Sequence, residues 1–165
     1  MKTTILKAQW NGEPYKGLPY QLALNENTLF FSVEFPDNAF SNHNSTPREY
    51  SPELWKFDVG EVFITGESNY LEVNLAPNLA FWLQGFSSVR QADQLFTYQD
   101  LQPTVCQLGL SLSLSKLERY LGPKDKWRFN VTAILESPNQ VFLSECVLPG
   151  TEADFHQPKY WSLQL

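Results

Sequence analysis

The 165-residue chain is long enough for one domain with a sizeable interior. Apolar residues make up 42% and aromatic residues 15%, which excludes a disordered chain. The net charge of -6, with no run of Lys or Arg, argues against nucleic acid and anionic membrane as partners, since both need clustered cations.

The N-terminal stretch MKTTILKAQWNGEPY has neither a long apolar segment nor a small-residue cleavage site. No segment approaches the roughly 18 apolar residues of a membrane span. The expected location is therefore cytoplasmic, or the chain is a module of something larger. Gln21 to Phe35 reads as two strands, QLAL and TLFFSVEF, around Asn25-Glu26-Asn27. The Pro-, Asn- and Ser-rich segment from Pro36 to Pro52 reads as a long surface loop.

Three runs follow, KFDVGEVFITG, NYLEVNLAP and LAFWLQGF, which predict a meander of antiparallel strands. In the middle one, Leu71, Val73 and Leu75 alternate with Tyr70, Glu72 and Asn74, the period of a strand with one buried face. In CQLGLSLSL, Leu108, Leu110, Leu112 and Leu114 share a face. Ser115-Lys116-Leu117-Glu118 is a capping-box pattern. With Leu117, Tyr120, Leu121 and the stop at Gly122-Pro123 it predicts one short helix near 115–121. WRFNVTAILE and QVFLSECVL form a hairpin around Ser137-Pro138-Asn139, and KYWSLQL is a candidate edge strand. The even spacing of short strands, without repeats or linkers, predicts a single all-β domain over 1–165, a two-sheet antiparallel β-sandwich or jelly roll.

Cys106 and Cys146 are too few for a disulfide scaffold and are expected to be buried thiols. The sequons Asn44-Ser45-Thr46 and Asn130-Val131-Thr132 read as chance matches. His43 and His156 lie far apart and in no metal-ligand spacing; there is no phosphate loop and no marked nucleophile. No metal or cofactor is expected. Haem ligation by Met and His would rest on Met1, the only methionine.

The candidate site is one face of a strand running from Leu54 to Ile64. Odd positions share a face, so Trp55 and Glu61 point the same way. An aromatic ring beside a carboxylate can hold a sugar, covering its C–H face and accepting from its hydroxyls. Alternatively, Trp55 is core and Glu61 pairs with a cross-strand cation. Trp82, Gln84 and Phe86 form a second stripe, for ligand or for packing. Arg90 just beyond can clamp an acid or hold a loop, with the structural role favoured. Asp58 and Glu61 fall on opposite faces and cannot form a catalytic pair, so no enzymatic activity is expected.

The segments LWKFDVGEVFI, NYLEVNLAPNLAFWLQGF followed by Arg90, VTAILE and ADFHQP together resemble the DOMON-like proteins related to family 9 carbohydrate-binding modules, from Leu54 to the C-terminus. The resemblance implies a jelly-roll sandwich that binds a small sugar or similar polar ligand between two Trp plates with an acid at the rim. It places Trp55 as one plate and Glu61 as the acid, and draws Phe155, His156 and Trp161 as candidates for the second. The ligand-binding set is then Trp55, Glu61, Glu72, Asn74, Trp82, Arg90, His156 and Trp161. Two positions depart from the relatives. Glu72 stands where sugar binders carry Arg, and Phe142-Leu143-Ser144-Glu145-Cys146 replaces a Tyr-Trp pair. The alternative implied is an interaction or structural domain, with a possible protein partner, that has lost the sugar site.

Overall fold

The computed structural model describes residues 2–165. Among them, strands β1 (Thr4–Ala8), β2 (Pro14–Leu24), β3 (Thr28–Val33), β8 (Thr104–Val105) and β9 (Leu110–Ser113) make one sheet, in the order β1-β2-β3-β9-β8. Strands β4 (Val59–Thr65), β5 (Tyr70–Leu75), β6 (Phe81–Ser88), β7 (Gln91–Ala92), β10 (Arg128–Leu135) and β11 (Val141–Ser144) make the other, in the order β11-β10-β4-β5-β6-β7. Every pairing is antiparallel, so the expected two-sheet antiparallel β-sandwich is the architecture observed. The single α-helix among these residues, α1, spans Leu114–Leu121.

Alternation sorts the side chains. Val62 and Ile64 of β4, Leu71, Val73 and Leu75 of β5 and Leu83 of β6 point inward, against Leu18, Leu29, Phe31, Leu110 and Leu112 of the smaller sheet. Each such side chain contributes about 1.5–3 kcal/mol on burial. Helix α1 closes one end with Leu114, Leu117 and Leu121, and Gly122 ends it. The expected capping box does not form. Ser113 takes the N-cap position without a side-chain capping bond to a helix N–H, because Leu114 and not Ser115 begins the helix; its hydroxyl meets the Ser115 hydroxyl at 3.1 Å.

The outer face of the larger sheet is not left to solvent. Phe63, Tyr70, Phe86 and Ile134 project from it and are covered by Phe155 and Trp161 of the C-terminal segment and by Leu54. All six residues of β5 are therefore buried, where the alternation predicted one buried face. A strand buried on both sides normally reads as continuously apolar. This one carries Glu72 and Asn74 inside, which marks that face as unusual.

Other expectations need correction. β1 and the start of β2 were not legible as strands, because Lys2, Lys7, Lys16 and two prolines interrupt their apolar pattern. Strand β4 begins at Val59, not Leu54. Leu54–Lys56 forms a 3-10 turn after Glu53, which has a φ of 61°. Leu108 is exposed outside β9, and Leu114 belongs to the helix. KYWSLQL contributes only a bridge between Leu163 and Phe129. Cys146 is buried but Cys106 is exposed, and neither is bonded. Met1 lies outside the described residues. No helix among those described is long and apolar enough to cross a membrane.

Candidate functional site

Cross-strand register lays out the outer face in rows. Thr132, Glu61, Asn74 and Trp82 stand in line across β10, β4, β5 and β6. The next row is Asn130, Phe63, Glu72 and Gln84. Side chains directly opposite lie about 5 Å apart at Cβ, and diagonal neighbours about 7–8 Å. Glu61 and Glu72 are such a diagonal pair, with Asn74 at the corner between them. This carboxylate pair was missed in the sequence, where Asp58 was weighed as Glu61's partner. The signal available was Glu72 and Asn74 on the polar phase of an otherwise apolar strand. Asp58 instead ties down loops, accepting from the Phe40 and Ser137 N–H groups at 3.1 and 2.8 Å.

Over these rows lies a cleft of about 420 Å³. Trp55, Trp82, Phe63 and Phe86 supply its aromatic lining, Glu61 and Glu72 its acids, and Arg90, Asp154 and His156 its rim. That volume is within the range of small-ligand sites. Of the eight predicted ligand-binding residues, Trp55, Glu61, Glu72, Trp82, Arg90 and His156 thus meet at one cavity. Asn74 lies beneath it, fully buried. Trp161 does not line it. Its ring packs on Phe63 and Tyr70 at 5.2 and 5.4 Å, and its indole N–H is taken by the Phe155 carbonyl.

Trp55 reaches the cleft from the 3-10 turn, not from the strand phase that had placed it beside Glu61. The aromatic partner of Trp55 is Trp82 of β6, not a C-terminal residue. The two rings meet at 5.0 Å with planes 64° apart. Rings so disposed form an L-shaped wall and leave no slot between them, so the arrangement of two parallel plates is not present.

The polar groups form two hydrogen-bonded chains, one through Glu61 and one through Glu72. Thr132 Oγ1 donates to Glu61 Oε2 at 2.7 Å, and Asn74 Nδ2 donates to Glu72 Oε1 at 3.2 Å. Glu72 Oε2 lies 3.4 Å from His156 Nε2, and His156 Nδ1 lies 2.8 Å from the Tyr70 hydroxyl. The Arg90 backbone N–H donates to that hydroxyl at 2.9 Å. Since the Arg90 group can only donate, the network assigns the Tyr70 proton to Nδ1 and the ring hydrogen to Nε2, facing Glu72. The Arg90 guanidinium pairs with Asp154 at 2.8 Å, which also accepts from the His156 N–H. Arg90 therefore holds the C-terminal segment, the role favoured for it, while standing at the cleft.

Burial sets the protonation states. It pushes the Glu61 carboxyl up to about 7, against the pull of the Thr132 hydroxyl. Glu72 rises well above the usual carboxylate range, through burial first and the Glu61 charge second. Burial, assisted by the Arg90 charge, drops His156 to about 4. The ring is neutral at pH 7, so its contact with Glu72 is a hydrogen bond and not an ion pair. The two carboxyls titrate as a unit. One buried acceptor is left over: Asn74 Oδ1 has no partner. Among the described residues no three His, Cys, Asp or Glu side chains gather to hold a metal ion.

No family model and no curated protein matches the chain. Its fold is similar to the crystal structure of a "putative carbohydrate-binding protein" from Bacteroides uniformis, with a TM-score of 0.70 at 14% identity. The likeness covers 98% of this chain and 84% of that one. At this identity it establishes a shared fold, which extends over nearly the whole chain.

Proposed function

We propose that this chain is a non-catalytic binding module of the DOMON-like, family 9 type, which holds a small sugar or a polar ligand of similar size in the cleft over its six-stranded sheet. The observation that carries the reading is the meeting of Trp55, Trp82, Glu61, Glu72, Arg90 and His156 at a cavity of about 420 Å³ on a rigid sheet face. Sugars need an apolar platform and convergent polar groups, and both are here. The fold shared with the Bacteroides protein supports the same reading.

Titration with glucose, cellobiose and xylan fragments, followed by Trp fluorescence, tests it. Saturable quenching is expected in the wild type and its loss in Trp82→Ala. Silence at millimolar sugar from a folded wild type would overturn the reading. A second reading, an interaction domain that has lost its sugar site, is favoured by the Trp55–Trp82 edge contact, which fills the slot between plates. Under it, sugars leave the fluorescence unchanged.

A further inference from the structure

The cleft is rich in acceptors and poor in donors. Glu61 and Glu72 bring four carboxyl oxygens to one corner of the sheet, and Asn74 adds the carbonyl Oδ1. Against these five acceptors the neighbouring side chains supply three donors, the Thr132 hydroxyl, the Asn74 amide and the His156 ring N–H, and the carboxyl pair itself retains a proton at pH 7. Asn74 Oδ1 remains unpartnered although the side chain is fully buried. Buried acceptors of this kind are almost always satisfied, so the orphan calls for a donor from outside the chain. The charge is equally unbalanced. Among the described residues Arg90 is the only cation lining the cleft, and its guanidinium is occupied by Asp154 at 2.8 Å. His156 and Tyr70 face the corner as neutral groups and bring no positive charge.

We infer that the Glu61–Asn74–Glu72 corner is a site for an ammonium group, and that the ligand of this cleft carries a primary amine. An ammonium offers three N–H donors and one positive charge. As the ammonium enters, the carboxyl pair gives up the proton it retains at pH 7, so that one ammonium donor can go to each carboxylate and the third toward Asn74 Oδ1, which lies beneath the cleft floor. A neutral hydroxyl brings one donor and no charge, so it cannot replace that proton. Trp82 stands directly beside Asn74 and Phe63 beside Glu72, so aromatic rings flank the same corner. Cations are held favourably against such rings. The amino-sugar form of this inference rests on the carbohydrate reading above, whereas ammonium capture does not.

The test compares four probes by calorimetry on the intact chain at pH 7: glucosamine, glucose, N-acetylglucosamine and cyclohexylamine. Glucosamine should bind roughly tenfold or more tighter than glucose and N-acetylglucosamine, as expected when one charged, hydrogen-bonded contact is gained. The advantage should vanish at pH 5, where Glu61 and Glu72 are protonated and His156 is still neutral. It should also vanish in Glu72→Gln at pH 7. Binding at pH 7 should release a proton, read from the dependence of the binding enthalpy on the buffer. If Glu72→Gln does not fold, the pH arm on the wild type decides. Equal binding of the three sugars would overturn the ammonium site and leave the sugar module standing. Binding of cyclohexylamine with no sugar bound would uphold the ammonium site and overturn the sugar module. No binding by any probe at roughly 10 mM, well above weak millimolar affinities, would overturn both.

Discussion

Glu61→Gln should stabilise this protein at alkaline pH and do little at acid pH. The substitution keeps the shape of the side chain and removes its charge. The Glu61 carboxyl titrates at about 7 in the fold, against an ordinary value of 4.5. At about 1.4 kcal/mol per tenfold, ionising it inside the fold costs about 3 kcal/mol more than in the unfolded chain. Between these two values the folded protein holds the proton more tightly than the unfolded one. Wild-type stability therefore falls as pH rises through that window, and the loss is complete above it. A glutamine has no proton to lose. The stability gap between variant and wild type should be small at pH 4.5 and grow to about 3 kcal/mol by pH 8. His156, lowered from 6.5 to about 4, runs the other way, since its neutral form gains as pH rises. It is present in both proteins and cancels in the difference. The amide should cost no hydrogen bond. Its oxygen can still accept from Thr132. Urea unfolding of both proteins at pH 5 and pH 8 measures the gap. A variant less stable than wild type at pH 8, or a gap equal at both pH values, would refute the reasoning. The same substitution should weaken ammonium binding, so stability and function pull apart at this residue.

Gly66→Ala should destabilise by about 2–3 kcal/mol in chemical denaturation, because an added Cβ would stand 1.9 Å from the Leu121 carbonyl oxygen, a backbone atom that moves only with the end of α1. An unchanged midpoint would contradict that close approach. Asp58→Ala should cost about 2–3 kcal/mol and speed hydrogen exchange at the Phe40 and Ser137 amides, whose only side-chain acceptor it removes. Exchange unaltered at both amides would show that other acceptors take over. A thiol reagent should modify Cys106 alone in the native protein and both cysteines after denaturation. Two thiols reacting in the native state would place Cys146 at the surface.

Much of the larger sheet was legible in the sequence because its strands are consecutive. The runs that became β4, β5 and β6 lie next to each other in the chain and in the sheet, and alternation alone assigned their faces. Hairpins such as β2–β3 and β10–β11 were legible for the same reason, with polar turns at Asn25–Asn27 and Ser137–Asn139 marking them. β1 was not, because an edge strand is specified by one neighbour and its five residues offer too short a period, with Lys7 after Ile5 and Leu6.

The candidate site was legible as a list and not as a geometry. Trp55, Glu61, Glu72, Trp82, Arg90 and His156 were singled out from residue type and resemblance, and they do share a cavity. Their relations were not readable, because they come from elements up to 101 positions apart, from Trp55 to His156. Chain distance says nothing about which carboxylate becomes the neighbour of which.

By itself the sequence determined the class of the fold. A period of two, repeated over short segments with turn residues between them, has no other economical solution than packed antiparallel sheets. In that reading Glu72 and Asn74 are the polar face of an ordinary half-buried strand. Only the tertiary structure decided that β5 is buried on both faces, because the cover is a C-terminal segment with no regular pattern of its own. That cover desolvates Glu61 and Glu72, raises their pKa values and leaves Asn74 Oδ1 without a partner. Desolvation depends on what lies above a residue, and alternation along a strand reports only which way the residue points.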